Sequence, residues 1–387
     1  MKGTSISIGA EGGRSLDAYI AVPPAGSGPG LLLLDDIGAH GHVRDAADEY
    51  AMEGYVALAP DLRSVHIAGA MCDVDAALVA LRARQEVRGK IAVLGYGFGG
   101  QLAFLAAAQL NVDAAISYYP VGVDAYRAEA PAVRCPVLFH FAETDHHITA
   151  AQREQIRAAF AAHDGAEFFV YRGADHGFSD RRRDSYDRIS AQVARSRSIG
   201  LLRTYLGPRH DLNAMWERHG DCEFALRDVD ATMATMVDEP YVNHIPTLTG
   251  GIGKRELYRF YKHHFIPGLP KDTKLIPISR TIGPDSVVDE VLFCFTHSQE
   301  VDFLLPGIAP TGKWVEVPLV VIIKFRGDKV AHEHIYWDSA SALVQVGALD
   351  PKSLPTTGID TARKAIDEKS VPSNRLMARW AESAGKD

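Results

Sequence analysis

The sequence predicts two domains: a doubly wound, mostly parallel α/β sheet and, after it, a smaller α+β domain. Three observations carry this. The chain has 387 residues, and single cores seldom grow past roughly 250–300 residues. Strand and helix signals alternate through residues 1–206, as they do where helices cover both faces of a parallel sheet. The run Leu206-Gly207-Pro208-Arg209-His210-Asp211 then breaks the pattern, and the remainder of the chain places helices first and a strand meander after them. The boundaries read from this are 1–208, 209–350 and a polar tail, 351–387, that packs on the second domain or a partner.

Strands are expected at Ser15–Val22, Gly30–Asp35, Tyr55–Ala59, Ile91–Leu94, Ala114–Tyr118, Val137–Phe141 and Glu167–Tyr171. Their apolar runs lack two-residue alternation, which fits strands buried on both faces. Helices are expected at Val43–Gly54, Asp73–Arg84, Gln101–Leu110, Ala151–His163 and Ser185–Leu206. In the second domain the spacing predicts a long helix over Asp211–Val237 and a shorter one over Glu256–Phe265. Strand-rich segments cover Lys274–Ile282, Val287–Ser298, Trp314–Arg326 and Val330–Trp337. Short helices are expected at Thr361–Glu368 and Asn374–Ala384.

Composition narrows the function. A net charge of −8 argues against a nucleic-acid binder, which is usually basic. No apolar run approaches the ~20 residues of a membrane span. The start, MKGTSISIGAEGG, lacks the apolar stretch of a signal peptide. Cys72, Cys135, Cys222 and Cys294 are scattered, so neither a zinc ribbon nor a disulfide framework is indicated. A cytoplasmic protein with a small-molecule substrate and no cofactor or metal is the expectation.

The chemistry-bearing segment is Lys90–Gly100, KIAVLGYGFGG. A strand runs into a Gly-rich turn and then a helix, the layout of a nucleophile elbow, where a Ser or Cys stands at the tip. Here the tip is Gly97. Asp145, in AETDHHI, and His176, in GADHGFSD, come later in the order nucleophile, acid, His. Each sits just past the carboxyl end of an expected strand, where open α/β sheets build their sites. A carboxylate there fixes the tautomer of the His and stabilises its charged form.

On these motifs the first 206 residues resemble the dienelactone hydrolase family of the α/β-hydrolase fold, whose elbow reads GYC-x-GG. The resemblance implies that Gly97 stands at the nucleophile position and that Asp145 and His176 are acid and base. It implies that Asp36 takes the place of a thiol-controlling Glu, and that the amides of Ile37 and Phe98 form an oxyanion hole. Two departures stand out. The family carries a substrate-binding Arg shortly after the His, where Asp180 stands here, before Arg181-Arg182-Arg183. The segment after Asp61-Leu62 is also short. Three readings of Gly97 stay open: His176 activates water in place of a thiol, the domain is a silent scaffold, or a Cys was replaced by design.

The second domain resembles the SnoaL-like group of the NTF2-like fold. The resemblance rests on AMWERHGDCEFALRDVDATMATM, YVNHIPTLTGGIGKREL and GDKVAHEHIYWD. It implies a helix-lined cone of curved sheet with a deep apolar pocket, and a homodimer. Strand alternation puts His332, His334, Tyr336 and Asp338 on one face, and Glu333, Ile335 and Trp337 on the other; which face lines the cone is open. Acid–base candidates are Asp338, His334 and Tyr336, with His244 a fourth. The leading function is hydrolysis of a small ester, lactone or related carbonyl compound by His176, Asp145 and water. The alternatives are isomerase, cyclase or lyase chemistry in the second domain, or a non-enzymatic scaffold for ligand binding or dimerisation.

Overall fold

The computed structural model describes residues 2–10, 13–35, 41–62 and 66–386. The chain divides into two compact units, 1–209 and 210–387.

Unit 1 is an α/β-hydrolase-like fold. Its described residues form an eight-stranded sheet from β1 (Thr4–Gly9), β2 (Ser15–Ala21), β3 (Gly28–Leu34), β4 (Val56–Pro60), β5 (Val87–Tyr96), β6 (Ala114–Tyr118), β7 (Val137–Ala142) and β8 (Ala166–Tyr171). The order is β1-β2-β4-β3-β5-β6-β7-β8. β1 and β2 are antiparallel to their neighbours, and the rest of the sheet is parallel. Five helices connect the strands: α1 (Gly41–Met52), α2 (Ile67–Arg82), α3 (Phe98–Gln109), α4 (Ala150–Ala159) and α5 (Arg188–Tyr205).

The run Leu31–Leu34 explains the absence of alternation. Leu32 and Leu34 enter one core with Val74, Leu78 and Leu105 of α2 and α3. Leu31 and Leu33 enter the other with Ala47 and Tyr50 of α1 and Leu202 of α5. Both faces of β3 are covered, so every position is apolar. The edge strand β1 and a 3₁₀ turn over Val123–Ala132 are additions to the expected elements; β1 is short, alternating Ile6 and Ile8 with exposed serines, and the 3₁₀ turn has no regular apolar spacing.

Unit 2 carries a six-stranded sheet among its described residues. Its strands are β9 (Met236–His244), β10 (Thr249–Ile252), β11 (Lys274–Ile282), β12 (Ser286–Thr296), β13 (Trp314–Arg326) and β14 (Lys329–Trp337). The order is β10-β9-β14-β13-β12-β11. β14 runs parallel to β9, and the other pairings are antiparallel. Register shifts at Pro277/Ser279 and Lys324/Phe325 are irregularities of the kind that bend a sheet. Helices α6 (Leu212–Gly220), α7 (Val229–Ala234), α8 (Gly253–Phe260), the short α9 (Ile266–Gly268), α10 (Ser339–Val346) and α11 (Asp360–Ile366) complete it.

The helix expected over Asp211–Val237 is broken. A π-helical turn spans Asp221–Leu226, and Arg227 then takes a left-handed φ of 54°. Asp228 restarts the chain by capping α7 through Ala231 N–H. Met236 already belongs to β9, a strand in place of the expected helix end. Of the expected helix over Asn374–Ala384, only Trp380–Ser383 forms a short 3₁₀ turn.

One buried charge ties unit 1 together. Glu53, fully buried just after α1, pairs at 2.9 Å with both Arg195 and Arg203 of α5. Removing one partner of a buried ion pair strands the other, at a cost of about 3–5 kcal/mol. Glu53→Ala is therefore expected to destabilise unit 1 by that order. Calorimetry reads it in the transition that tryptophan fluorescence does not follow, because all four tryptophans (216, 314, 337 and 380) lie in unit 2.

Candidate functional sites

The elbow of unit 1 forms where β5 turns into α3. Gly97, at its tip, has φ 55° and ψ −119°, a conformation few residues other than glycine adopt without strain. Close packing is required beside it. A Cβ on Gly95 would lie 1.8 Å from the Gly99 carbonyl oxygen, and one on Gly99 would lie 2.4 Å from the Leu34 backbone. Phe98 is the first residue of α3. Asp36 and Ile37 lie outside the described residues.

Asp145 comes after β7 and His176 after β8, and the two strands are parallel neighbours. Their loops therefore meet at one end of the sheet. His176 Nδ1 lies 3.0 Å from Asp145 Oδ2, and both side chains are buried. The ionised carboxylate can only accept, so Nδ1 carries the proton and Nε2 is left as the basic nitrogen. The His147 amide donates to Asp145 Oδ1 at 2.8 Å. Burial alone would raise the Asp145 carboxyl, but these hydrogen bonds outweigh it and hold the group below the usual carboxylate range.

The elbow is linked to the His by a turn that no sequence motif announces. Gly97 N–H donates to the Tyr118 carbonyl, and the Gly97 carbonyl accepts from Val121 N–H. Tyr119, held between them at a φ of 34°, packs its ring 5.0 Å from that of His176. Its hydroxyl lies 2.7 Å from Ser179 Oγ. Nothing in the run SYYPVG signals that this Tyr stands beside His176.

Asp180, where the family places an Arg, is buried. It lies 3.6 Å from His42 Nδ1 and 3.5 Å from Arg183 Nε. Burial pushes the His42 imidazole below its ordinary value, more than Asp180 lifts it.

In unit 2 a cavity of about 380 Å³ opens among apolar side chains such as Phe224, Val242, Phe265, Phe293, Leu319 and Ile335. The face of β14 that lines it carries Glu333, Ile335 and Trp337. His334 and Tyr336 point the other way. His334 packs against His332 and Tyr241, and Tyr336 is exposed. Asp338 is spent on structure: it caps α10 through Ser341 N–H and Oγ. His244 does line the cavity. Its Nδ1 donates to the Thr249 carbonyl, and burial pushes its pKa down to about 4.

The densest chemistry in the cavity comes from residues outside the expected candidates. His219, fully buried, donates Nδ1–H to Thr235 Oγ1 at 2.6 Å; that hydroxyl in turn donates to the Thr232 carbonyl. Its Nε2 lies 3.2 Å from Glu223 Oε1 and 3.3 Å from Glu333 Oε1. The ring is an imidazolium. Burial would lower its pKa, but the two carboxylates outweigh burial and raise it to about 10. Burial and the charges of Glu223 and Glu333 push the Tyr261 hydroxyl well above its ordinary value. Burial raises the Glu333 carboxyl, against the pull of His219. The His-x-x-x-Glu spacing of 219 and 223 puts both side chains on one helical face, a signal present in the sequence.

This cluster sets a pH dependence. A folded-state His pKa raised from its ordinary 6.5 to about 10 gives stability that is fully present below the ordinary value and lost as pH rises through 10. Urea unfolding of unit 2, tracked by tryptophan fluorescence, is expected to weaken between pH 7 and 10.5 by on the order of a few kcal/mol. His219→Gln should flatten that profile.

Comparison with known proteins places unit 1. Residues 63–206 match the dienelactone hydrolase family. The protein named "Putative carboxymethylenebutenolidase" of Azospirillum brasilense is 31% identical over 231 residues, which cover 53% of this chain and 100% of that protein. The carboxymethylenebutenolidase of Pseudomonas putida is 28% identical over 223 residues, covering 51% of this chain and 94% of its own. Among solved structures, a dienelactone hydrolase-like promiscuous phosphotriesterase from metagenomic libraries aligns at 19% identity and a TM-score of 0.49, over 54% of this chain and 100% of that one. No helix among the described residues is long and apolar enough to cross a membrane. Through its first unit the chain belongs to the dienelactone hydrolase family, hydrolases of small-molecule lactones and esters.

Proposed function

We propose that unit 1 hydrolyses a small ester, lactone or related carbonyl compound with water in place of a side-chain nucleophile. One observation carries the reading: the Asp145–His176 pair keeps working geometry, with Nδ1 held by the carboxylate and Nε2 free to take a proton, beside an elbow whose tip bears no side chain. In the proposed step, His176 Nε2 removes a proton as the water oxygen bonds to the carbonyl carbon. In this reading negative charge develops on the carbonyl oxygen and is stabilised by backbone amides near the elbow. The intermediate collapses by breaking the C–O bond to the leaving alkoxide, which receives the proton from His176. Asp145 stays ionised throughout, in keeping with its depressed pKa. The carboxymethylenebutenolidase relatives suggest a lactone; Asp180 in place of an Arg favours one without the carboxylate that the Arg would bind.

Unit 2 we read as an NTF2-like, SnoaL-like cone. The strand order, the parallel β9–β14 pairing and the cavity walled by the sheet support that reading.

The test is hydrolysis of p-nitrophenyl acetate. His176→Ala is expected to lower kcat/KM by about 10²–10⁴-fold, the usual worth of a general base, and Asp145→Asn to lower it through the wrong tautomer. Gly97→Cys is expected to raise the rate at least tenfold and produce an acyl-enzyme burst. It should cost unit 1 on the order of 1–3 kcal/mol, because a side chain then takes a positive φ. Unchanged turnover in His176→Ala would sink the water mechanism.

A further inference from the structure

Along one edge of the unit 2 sheet, two residues work against their own local structure. β10 is the edge strand. Leu248, in the turn before it, takes a left-handed φ of 54° and is 82% exposed. Glycine or asparagine holds that conformation more easily. Ile252, at the other end of β10, is the N-cap of α8; its side chain makes no cap and is 70% exposed. Isoleucine is among the poorest N-caps. At both positions a large aliphatic group stands in water where a small or polar one would stabilise the fold. Residues that break a local rule with no gain in packing point to function.

α8 doubles back beside β10. Glu256, in its first turn, accepts a hydrogen bond from the Ile252 amide at 2.9 Å. Phe260, at its end, packs its ring 5.6 Å from that of His244, which pairs with Thr249. Strand and helix are each about 12 Å long, so Ile252 and Leu248 bracket the helix. α8 buries Gly253, Leu257 and Phe260. Its exposed side carries Lys254, Arg255 and Arg259, and Lys262 follows in the π-helical turn Tyr261–Phe265. Helical spacing puts these cations in one stripe. None is ion-paired among the described residues; Lys262 rests over the Tyr258 ring at 5.4 Å. The acids of this edge are fewer. Glu256 is bonded to the Ile252 amide, Glu239 lies beside Gly253, and Asp302 pairs with His264. The chain holds 49 acidic residues against 41 basic, so the stripe runs against the protein's net charge.

We propose that this edge docks on an anionic lipid membrane, with Leu248 and Ile252 entering the interface and the cations of α8 meeting the headgroups. Each part answers to a different layer of such a surface. Aliphatic side chains at the headgroup–acyl boundary recover the transfer free energy they forgo in water. A lysine or arginine beside an anionic leaflet strengthens binding by about fivefold. Nucleic acid would engage the cations but leave both aliphatic groups in water, and single strands favour aromatic platforms instead. The attachment is peripheral, because α8 keeps its apolar side in the core of unit 2. The proposal goes beyond the hydrolase reading and does not depend on it, since all these residues belong to unit 2.

Co-sedimentation of the full chain with vesicles tests it. One set is phosphatidylcholine alone, the other phosphatidylcholine with about 30 mol % phosphatidylglycerol. The expected result is binding to the mixed vesicles, about tenfold weaker binding to the neutral ones, and release from the mixed ones at about 0.5 M salt. Leu248→Asn combined with Ile252→Ser suits the local backbone better. That double variant should unfold in urea no earlier than the parent, yet bind the mixed vesicles about tenfold more weakly. Lys254→Gln combined with Arg259→Gln should weaken binding by about twentyfold. No sedimentation with the mixed vesicles, or equal binding to the neutral ones, would overturn the proposal. So would full binding by the Leu248/Ile252 variant; together with loss in the Lys254/Arg259 variant, that result assigns the stripe to an acidic protein or a nucleic acid. His176→Ala should sediment as the parent does, so failure here and failure of the hydrolase reading are separable.

Discussion

The hydrogen bond from His176 Nδ1 to Asp145 Oδ2 is the constraint on which the chemistry proposed for the first unit turns. It is a consequence of sheet order. β7 and β8 lie side by side and run parallel, so the loops after them emerge at the same end and can exchange a hydrogen bond. The donor to Asp145 Oδ1 is local, the amide of His147 two residues on. Both carboxylate oxygens are thus satisfied within a buried setting, and the group remains ionised where burial alone would favour its neutral form. The imidazole is in turn fixed in the tautomer that leaves Nε2 basic. Nothing in this chain of causes requires a side chain at position 97.

The two units handle buried carboxylates in opposite ways. In unit 1, Asp145 has a full set of donors and its pKa falls. In unit 2, Glu333 shares one imidazolium with Glu223 and lacks an aligned donor, and its pKa rises. On Asp145 the hydrogen-bond donors outweigh burial; on Glu333 the pull of His219 does not, and the charge of Glu223 adds to burial. The first arrangement suits a fixed electrostatic support.

Much of unit 1 is legible in the sequence because its signals are local. The Leu31–Leu34 run, the GYGFGG turn and the two loop motifs each declare themselves within a dozen residues, and parallel strands take them to a common edge. Unit 2 is legible as strands from Lys274 to Trp337, where β-branched and aromatic runs are long. It is obscure between Asp211 and Ile252. There a π-helical turn, a left-handed Arg227 and a new N-cap at Asp228 interrupt what reads as one amphipathic helix. The site residues of unit 2 are hidden for a related reason. Alternation divides β14 into two faces but does not say which one the sheet curves around. Asp338, one residue past the strand, is drawn off to cap α10. Tyr119 cannot be found from sequence at all, since its place beside His176 depends on the turn that the elbow backbone holds.

Gly97 relieves a conflict that the elbow otherwise contains. A nucleophile at the tip must occupy a backbone conformation unfavourable to side chains, and the fold bears that strain to aim the reactive atom. With glycine the strain is gone while the turn persists, because Gly95 and Gly99 still admit the close approach of strand and helix and the Gly97 backbone is still bonded to Tyr118 and Val121. The elbow is therefore held by its neighbours and not by the residue at its tip. A scaffold of that kind keeps base, orienting carboxylate and turn geometry in register whether the attacking atom belongs to the protein or to solvent. In the proposed mechanism water replaces a tethered thiolate, so the rate that covalent attachment and pre-paid orientation bring is absent, while His176 takes up and returns the proton as it would for a thiol.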